Sequence, residues 1–265
     1  TRAKTSSLWY YGYNKSKGAV IMTKKNKKHI VIATAIIILV VALLIYRYYI
    51  PDMKPKKQFT PASVEYTYDD SVTSSQLAEY NARQDWQLTL VNNDTPICEN
   101  CSVILTALDN GQAVDCRIYP QLQKMFDDAR SQGIYPTITS SFRTAEDQQD
   151  ILESKYEHYQ KIGYSDKKAK AYAEEWVAMP GTSEHELGLC VDIASGDSRV
   201  TNQEVWDWLA KNSYKYGFIE RYTAEKQDIT GIIPEEWHYR YVGEKAAKEM
   251  YENGLCLEEY LQNVS

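Results

Sequence analysis

One stretch constrains this chain more than any other: residues 30–45 form a run of sixteen in which Thr34 is the only polar member. Counted on through Tyr46, Arg47, Tyr48, Tyr49 and Ile50, the run is 21 residues long. As a helix it spans about 30 Å, the hydrocarbon thickness of a bilayer. Its closing tyrosines and Arg47 suit the headgroup layer. A cleaved signal peptide would carry a shorter apolar stretch and a small-residue site after it, and residues 46–51 offer none. Residues 29–50 are therefore expected to be an uncleaved, single-pass transmembrane anchor. Lys24, Lys25, Lys27 and Lys28 precede it, and no residue before them is acidic. By the positive-inside rule residues 1–28 are cytoplasmic, and everything after Pro51 is extracellular. Met22, followed by a lysine-rich hexapeptide, is a normal start for such an anchor. Translation is expected to begin there, with residues 1–21 an upstream extension of no assigned function.

The charge divides at the same place. Through Lys57 there are 12 Lys and Arg against one acid, Asp52, whereas residues 58–265 hold 18 basic and 35 acidic residues, a net of -17. That field repels phosphate backbones and excludes nucleic acid as a partner of the external part. With 43% hydrophobic and 25% charged residues over 265 positions, the chain can bury a real core, and wholesale disorder is excluded. All five cysteines, Cys98, Cys101, Cys116, Cys190 and Cys256, lie in the external part. Disulfides are permitted there, and an odd number leaves at least one thiol free. Cys98-Glu-Asn-Cys101 reads as half a zinc ribbon, a redox motif or a small disulfide loop; no second such pair exists to complete a four-cysteine zinc site.

Residues 51–76, rich in Lys, Pro, Thr and Ser, read as an extracellular spacer, with one domain over residues 77–265. Residues 86–91 (Trp-Gln-Leu-Thr-Leu-Val) alternate like a strand and end in a turn signal. Pro120 opens a helix with Leu122, Met125, Phe126 and Ala129 on one face, closed by Gly133. A strand over 134–141 leads to Arg143. Thr144 and Asp147 then start a polar helix reaching about Lys161, and a second helix covers 165–177. A strand from near Gly188 puts Cys190 and Asp192 on one face. Thr201-Asn-Gln-Glu204 caps a further helix. Strands over 217–221 and 237–242 precede a helical C-terminus from Glu244. Helices and strands mix without regular βαβ alternation, so the expected fold is α+β, a largely antiparallel sheet flanked by helices and preceded by one transmembrane helix.

Four histidines are present. His29 abuts the membrane span, and His158 lies in a polar helix without a ligand pattern nearby. His185 and His238 each adjoin an apolar strand and acids, as satisfied core histidines also do. His185-Glu186 resembles the opening of a His-Glu-x-x-His helix, but Leu189 and Gly188 break that motif. A different arrangement fits: His185 on a turn and Asp192 in the next strand converge on one ion, His238 adds a third ligand, and a position stays open for water. Glu235, three residues before His238, is close enough to act on that water without ligating the metal.

Three ordered motifs then carry a resemblance. Ser183-x-His185-x-x-Gly188-x-Cys190-x-Asp192, Glu235-x-Trp237-His238 and Ser141-x-Arg143-x-x-x-x-Gln148 are similar to those of the zinc D-alanyl-D-alanine carboxypeptidases of the VanY type, which include L,D-carboxypeptidase relatives. The resemblance covers roughly residues 80–255. It implies one Zn2+ per chain held by His185, Asp192 and His238, Glu235 as catalytic base, and Arg143, Gln148 and Ser183 as substrate-binding groups. Cys190 stands where the family usually has Ala; it is either a small buried filler or a thiol competing for the metal. Arg143 either grips a terminal carboxylate, stabilises an oxyanion, or only pairs at a helix start. The implied function is a hydrolase of the cell wall, removing a C-terminal D-alanine from peptidoglycan stem peptides or precursors. The alternative is a non-catalytic zinc-containing domain that binds the wall or a partner. Loss of the base or of Arg143 would favour that alternative, and both are present. Preference for D,D or L,D peptides is open at this level.

Overall fold

A computed structural model of the chain describes residues 64–98 and 100–264. The segments expected to be cytoplasmic (1–28), a membrane anchor (29–50) and a spacer, as far as residue 63, lie outside the described residues. Among the described helices none is long and apolar enough to cross a membrane.

Two sheets organise the domain. The smaller has strand order β1 (Glu65–Tyr68), β2 (Ser102–Ala107), β3 (Ala113–Asp115), with β1 parallel to β2 and β2 antiparallel to β3. The larger has order β4 (Pro136–Ser140), β5 (Cys190–Ser195), β7 (Glu235–Tyr241), β6 (Phe218–Tyr222), antiparallel throughout. The described helices of eight residues or more are α1 (Ser74–Asn81), α2 (Tyr119–Ser131), α3 (Ala145–Lys161), α4 (Asp166–Trp176), α5 (Asn202–Asn212), α6 (Glu244–Asn253) and α7 (Leu257–Val264). The α+β class with an antiparallel sheet flanked by helices is thus as expected.

Sequence patterns explain the main packing. On α2, Leu122, Met125, Phe126 and Ala129 recur at helical spacing, all four are buried, and they join Ile138 of β4 and Val191 and Ile193 of β5 in one core. The three larger side chains each contribute on the order of 1.5–3 kcal/mol by leaving water. Thr144 and Asp147 close a capping box on α3, and Thr201 and Glu204 close one on α5. Gly188 ends the turn Glu184–Leu187 at φ +65 and delivers the chain into β5. A Cβ there would meet the backbone nitrogen of Asp115 at 2.8 Å, so only glycine fits.

Two elements depart from the sequence expectation. Residues 86–91 do not form a strand: Trp86–Leu88 is a 3-10 turn. The cause is Arg240, whose buried guanidinium takes the carbonyls of Gln87 and Thr89 at 3.0 and 2.8 Å, acceptors that a strand ladder would need. Trp86 meanwhile stacks on Tyr241 with ring centroids 5.7 Å apart. Residues 65–76, which read as spacer by composition, carry β1 and the first turn of α1. Parallel pairing with β2 orders β1 although all four of its residues are exposed, so hydropathy gave no sign of it. Cys98 and Cys101 form a disulfide with Cα atoms 5.5 Å apart, leaving Cys116, Cys190 and Cys256 as thiols.

Candidate active site

Backbone register builds the centre of the site. Antiparallel pairing sets Asp192 of β5 opposite His238 of β7, and residues opposed in this way share a sheet face. Asp192 Oδ1 lies 3.2 Å from Nδ1 of His238. The 3-10 turn before Gly188 brings His185 over the same point, with Nε2 3.5 Å from that oxygen. The two imidazoles stand edge to face, centroids 4.9 Å apart. His185, Asp192 and His238, separated by up to 53 positions, therefore converge, and all three line one cavity of about 250 Å³.

Each ring is held from behind. Nδ1–H of His185 donates to the carbonyl of Ser141 at 2.7 Å. Ser141 is itself pinned, accepting from the Ala113 N–H and donating to Gln112. Nε2 of His185 is thereby the nitrogen left for the cavity. His238 is the mirror case: its Nε2 faces Oε2 of Glu184 at 3.6 Å, which leaves Nδ1 for the cavity. A carboxylate or carbonyl behind each ligating imidazole is the usual way a tautomer is selected for a metal.

Glu184 is fixed in that role. Its Oε1 accepts from Nε of Arg221 at 2.8 Å and pairs with Arg240 at 3.0 Å, and Arg221 grips Glu258 of α7 with two further bonds of 2.9 and 2.7 Å. All four side chains are buried. Burial pushes the Glu184 carboxyl up, but Arg221 and then Arg240 more than reverse this and hold it well below the usual carboxylate range. Removing one partner from such a pairing costs on the order of 3–5 kcal/mol, so Glu184 stays with its arginines and serves His238 without moving to a metal.

The charge of the cluster asks for a cation. Asp192 Oδ1, the acceptor between the two cavity-facing nitrogens, is a buried atom without a hydrogen-bond partner. Burial opposes charge on Asp192, but His185 and His238 hold its carboxyl far down. Burial likewise pulls His185 down, yet Cys190 and Asp192 outweigh it and raise the imidazole to about 9. Two imidazole nitrogens and one carboxylate oxygen, with an orphaned acceptor among them, are a donor set suited to zinc. Cys190 is fully buried beside them; ligand atoms of His185, Cys190 and His238 all lie within 4.8 Å of one another. Burial raises its thiol, and the two histidines bring it below its ordinary value, to about 7.

The remaining expected residues surround this centre. Glu235, 8% exposed, places Oε2 3.7 Å from Nδ1 of His238, and burial raises its carboxyl. Arg143 donates from Nε to Ser140 Oγ (2.9 Å), from Nη1 to Gln148 Oε1 (3.2 Å) and from Nη2 to Asp192 Oδ2 (3.0 Å). Three of its five N–H groups are used, and two remain for a ligand. Gln148, 1% exposed, also donates to the Ala178 carbonyl at 2.8 Å; its amide braces Arg143 more than it reaches into the cavity. Ser183 is buried on the cavity wall. The wall also includes Trp237 of the Glu235-x-Trp237-His238 motif and residues outside the sequence motifs: Ile151, Lys155, Trp176 and Tyr222. Ile151 and Lys155 follow Gln148 by three and seven positions on α3, and that helical spacing was the available signal. Nothing local marks Tyr222, whose ring lies 4.9 Å from that of His238.

Comparisons with known proteins show what the chain resembles. Residues 111–244 match the family model described as D-alanyl-D-alanine carboxypeptidase, VanY. A D-alanyl-D-alanine carboxypeptidase of Enterococcus faecalis is 51% identical over 183 residues, 69% of this chain and 68% of the relative. Among solved structures, VanYB in complex with D-alanine-D-alanine is 52% identical with a TM-score of 0.66, covering 67% of this chain and 98% of that one. A mutant vancomycin-resistance D,D-pentapeptidase VanY in complex with Zn(II) is also 52% identical, TM-score 0.66, covering 66% and 99%.

Proposed function

Since the chain belongs to the VanY family of D-alanyl-D-alanine carboxypeptidases, we propose that it removes the C-terminal D-alanine of peptidoglycan stem peptides or their precursors, with one zinc held by His185, Asp192 and His238 and with Glu235 as base. The observation that carries this is the convergence of His185 Nε2, His238 Nδ1 and Asp192 Oδ1, with Glu235 against the same imidazole. Zinc bound there supplies a Lewis acid to the scissile carbonyl and makes water more acidic.

The chain's own groups do the rest. Glu235 takes a proton from the attacking water and passes it to the nitrogen of the departing D-alanine as the peptide C–N bond breaks. Partial burial suits it to both transfers, because a raised carboxyl pKa makes it a stronger base and keeps the proton available. Ser141 holds the His185 imidazole in the tautomer that faces the cavity, and the Glu184 carboxylate 3.6 Å behind His238 favours a proton on the far nitrogen of that ring. Arg143, braced by Gln148 and Ser140, turns its remaining N–H groups to the substrate's terminal carboxylate and so distinguishes a chain end from an internal bond. Cys190 packs as a small side chain beneath the centre.

The test is a matched pair of peptides ending in D-Ala-D-Ala, one with a free carboxylate and one amidated. A charge-assisted contact of this kind is worth about 1.5–3 kcal/mol, so the amidated peptide should lose roughly 10- to 150-fold in kcat/KM. Equal cleavage of the two would contradict a carboxypeptidase and point to an endopeptidase on the same centre. A companion pair ending in an L-centre followed by D-Ala separates D,D from L,D preference.

We also propose that residues 29–50 anchor the enzyme in the cell membrane with the catalytic domain outside, next to the wall, on the strength of the apolar run and the lysines before it. The full chain should fractionate with membranes and expose its C-terminus to protease on intact cells. A soluble form beginning after Tyr46 would instead indicate a cleaved signal.

A further inference from the structure

We propose that Lys155 and Trp176 form a binding subsite for a carboxylate on the substrate, carried about three residues before its C-terminal residue. This rests on the carboxypeptidase assignment and adds to it the chemistry of the upstream peptide.

The catalytic cavity is asymmetric in its charges. Arg143, Glu184, Asp192 and Glu235 gather at the metal end, where each already has a partner or a role. Lys155 lines the same cavity. On α3, Gln148, Ile151 and Lys155 fall at i, i+3 and i+7, one face of the helix. From Gln148, the brace of Arg143, to Lys155 is about 10 Å along the helix axis, or roughly three residues of extended peptide. A peptide whose end is held at Arg143 and which lies along α3 therefore brings the residue three before its last to Lys155.

Two further observations mark that position. Trp176, at the end of α4, is 38% exposed and lies under the ammonium of Lys155, with Nζ 4.5 Å from the ring centroid. A lysine resting on an indole keeps its charge while its long side chain is placed, so less freedom is lost when an anion arrives. A second, more open depression is lined by Asp150, Ile151, Ser154, Lys155 and His158, and shares Ile151 and Lys155 with the catalytic cavity. Lys155 is the charged residue shared by the two. The catalytic cavity thus has the metal end, an apolar step at Ile151 and a placed ammonium on its wall.

The experiment uses the full chain in detergent with two acetylated tetrapeptides ending in N-acetyl-lysyl-D-Ala-D-Ala, one preceded by glutamate and the other by glutamine. The pair differs only in the charge three residues before the end. The native chain should favour the glutamate peptide about fivefold in kcat/KM, through KM, as a partly exposed ion pair allows. Lys155→Met should abolish the preference, Lys155→Arg should keep it, and Lys155→Glu should reverse it. Rates on the glutamine peptide report in each variant that the catalytic centre is intact. A native chain that cleaves both peptides with less than twofold preference, or a preference that survives in Lys155→Met, overturns the subsite and leaves the carboxypeptidase standing. A native chain that cleaves neither of these peptides, nor one ending in an L-centre followed by D-Ala, overturns both.

Discussion

Glu235→Gln should retain zinc and fold while losing about a hundredfold or more in kcat. The substitution is isosteric and removes only the ability to accept and return a proton, a contribution of roughly 10²–10⁴ in positioned acid–base catalysis. Geometry singles out this acid: Glu235 is buried against His238, whereas its neighbour Glu236 is exposed on the opposite side of β7. Glu236→Gln should therefore keep native turnover. If Glu236→Gln is the inactive variant and Glu235→Gln is not, the base has been misassigned by one residue. Metal content by elemental mass spectrometry on the same preparations separates a lost base from a lost ion.

His185→Ala or His238→Ala should each weaken zinc binding by more than about a hundredfold, beyond what removing a partner behind a ligand costs. Three protein donors leave little redundancy, and each imidazole is pre-oriented by an acceptor that has no other ring to serve. Asp192→Asn should behave in the same way, because its carboxylate is the shared neighbour of both rings. Cys190→Ala should keep the zinc, since the thiol only packs beside the ligands; loss of zinc there would make Cys190 a ligand. Stoichiometric zinc retained in both histidine variants would contradict the ligand set.

Much of this site was legible beforehand because its parts are local. Strand alternation put Cys190 and Asp192 on one face, the break at Gly188 ruled out a single-helix metal motif, and the capping signals at Thr144 and Thr201 marked helices the structure contains. What the sequence could not display depends on long-range partners. The support behind His238 joins Glu184, Arg221, Arg240 and Glu258, residues up to 74 positions apart whose burial is possible only because they neutralise one another. The same Arg240 turns residues 86–91 away from strand geometry, against their alternation. Strand β1 shows the opposite failure: its backbone pairing with β2 orders a segment whose side chains remain in water. Gln148 illustrates a subtler limit, since spacing brought it to Arg143 but its amide is spent on that arginine and on Ala178.

Zinc titration of the metal-stripped full chain tests the central claim most directly, with release of D-alanine from a D-Ala-D-Ala peptide and bound zinc followed together. Turnover in the native chain should rise in proportion to bound metal and level off at one zinc per chain, while Glu235→Gln takes up the same single zinc and stays at least a hundredfold less active. Full turnover by the stripped chain, or a Glu235→Gln variant that reaches native turnover once loaded, would contradict it.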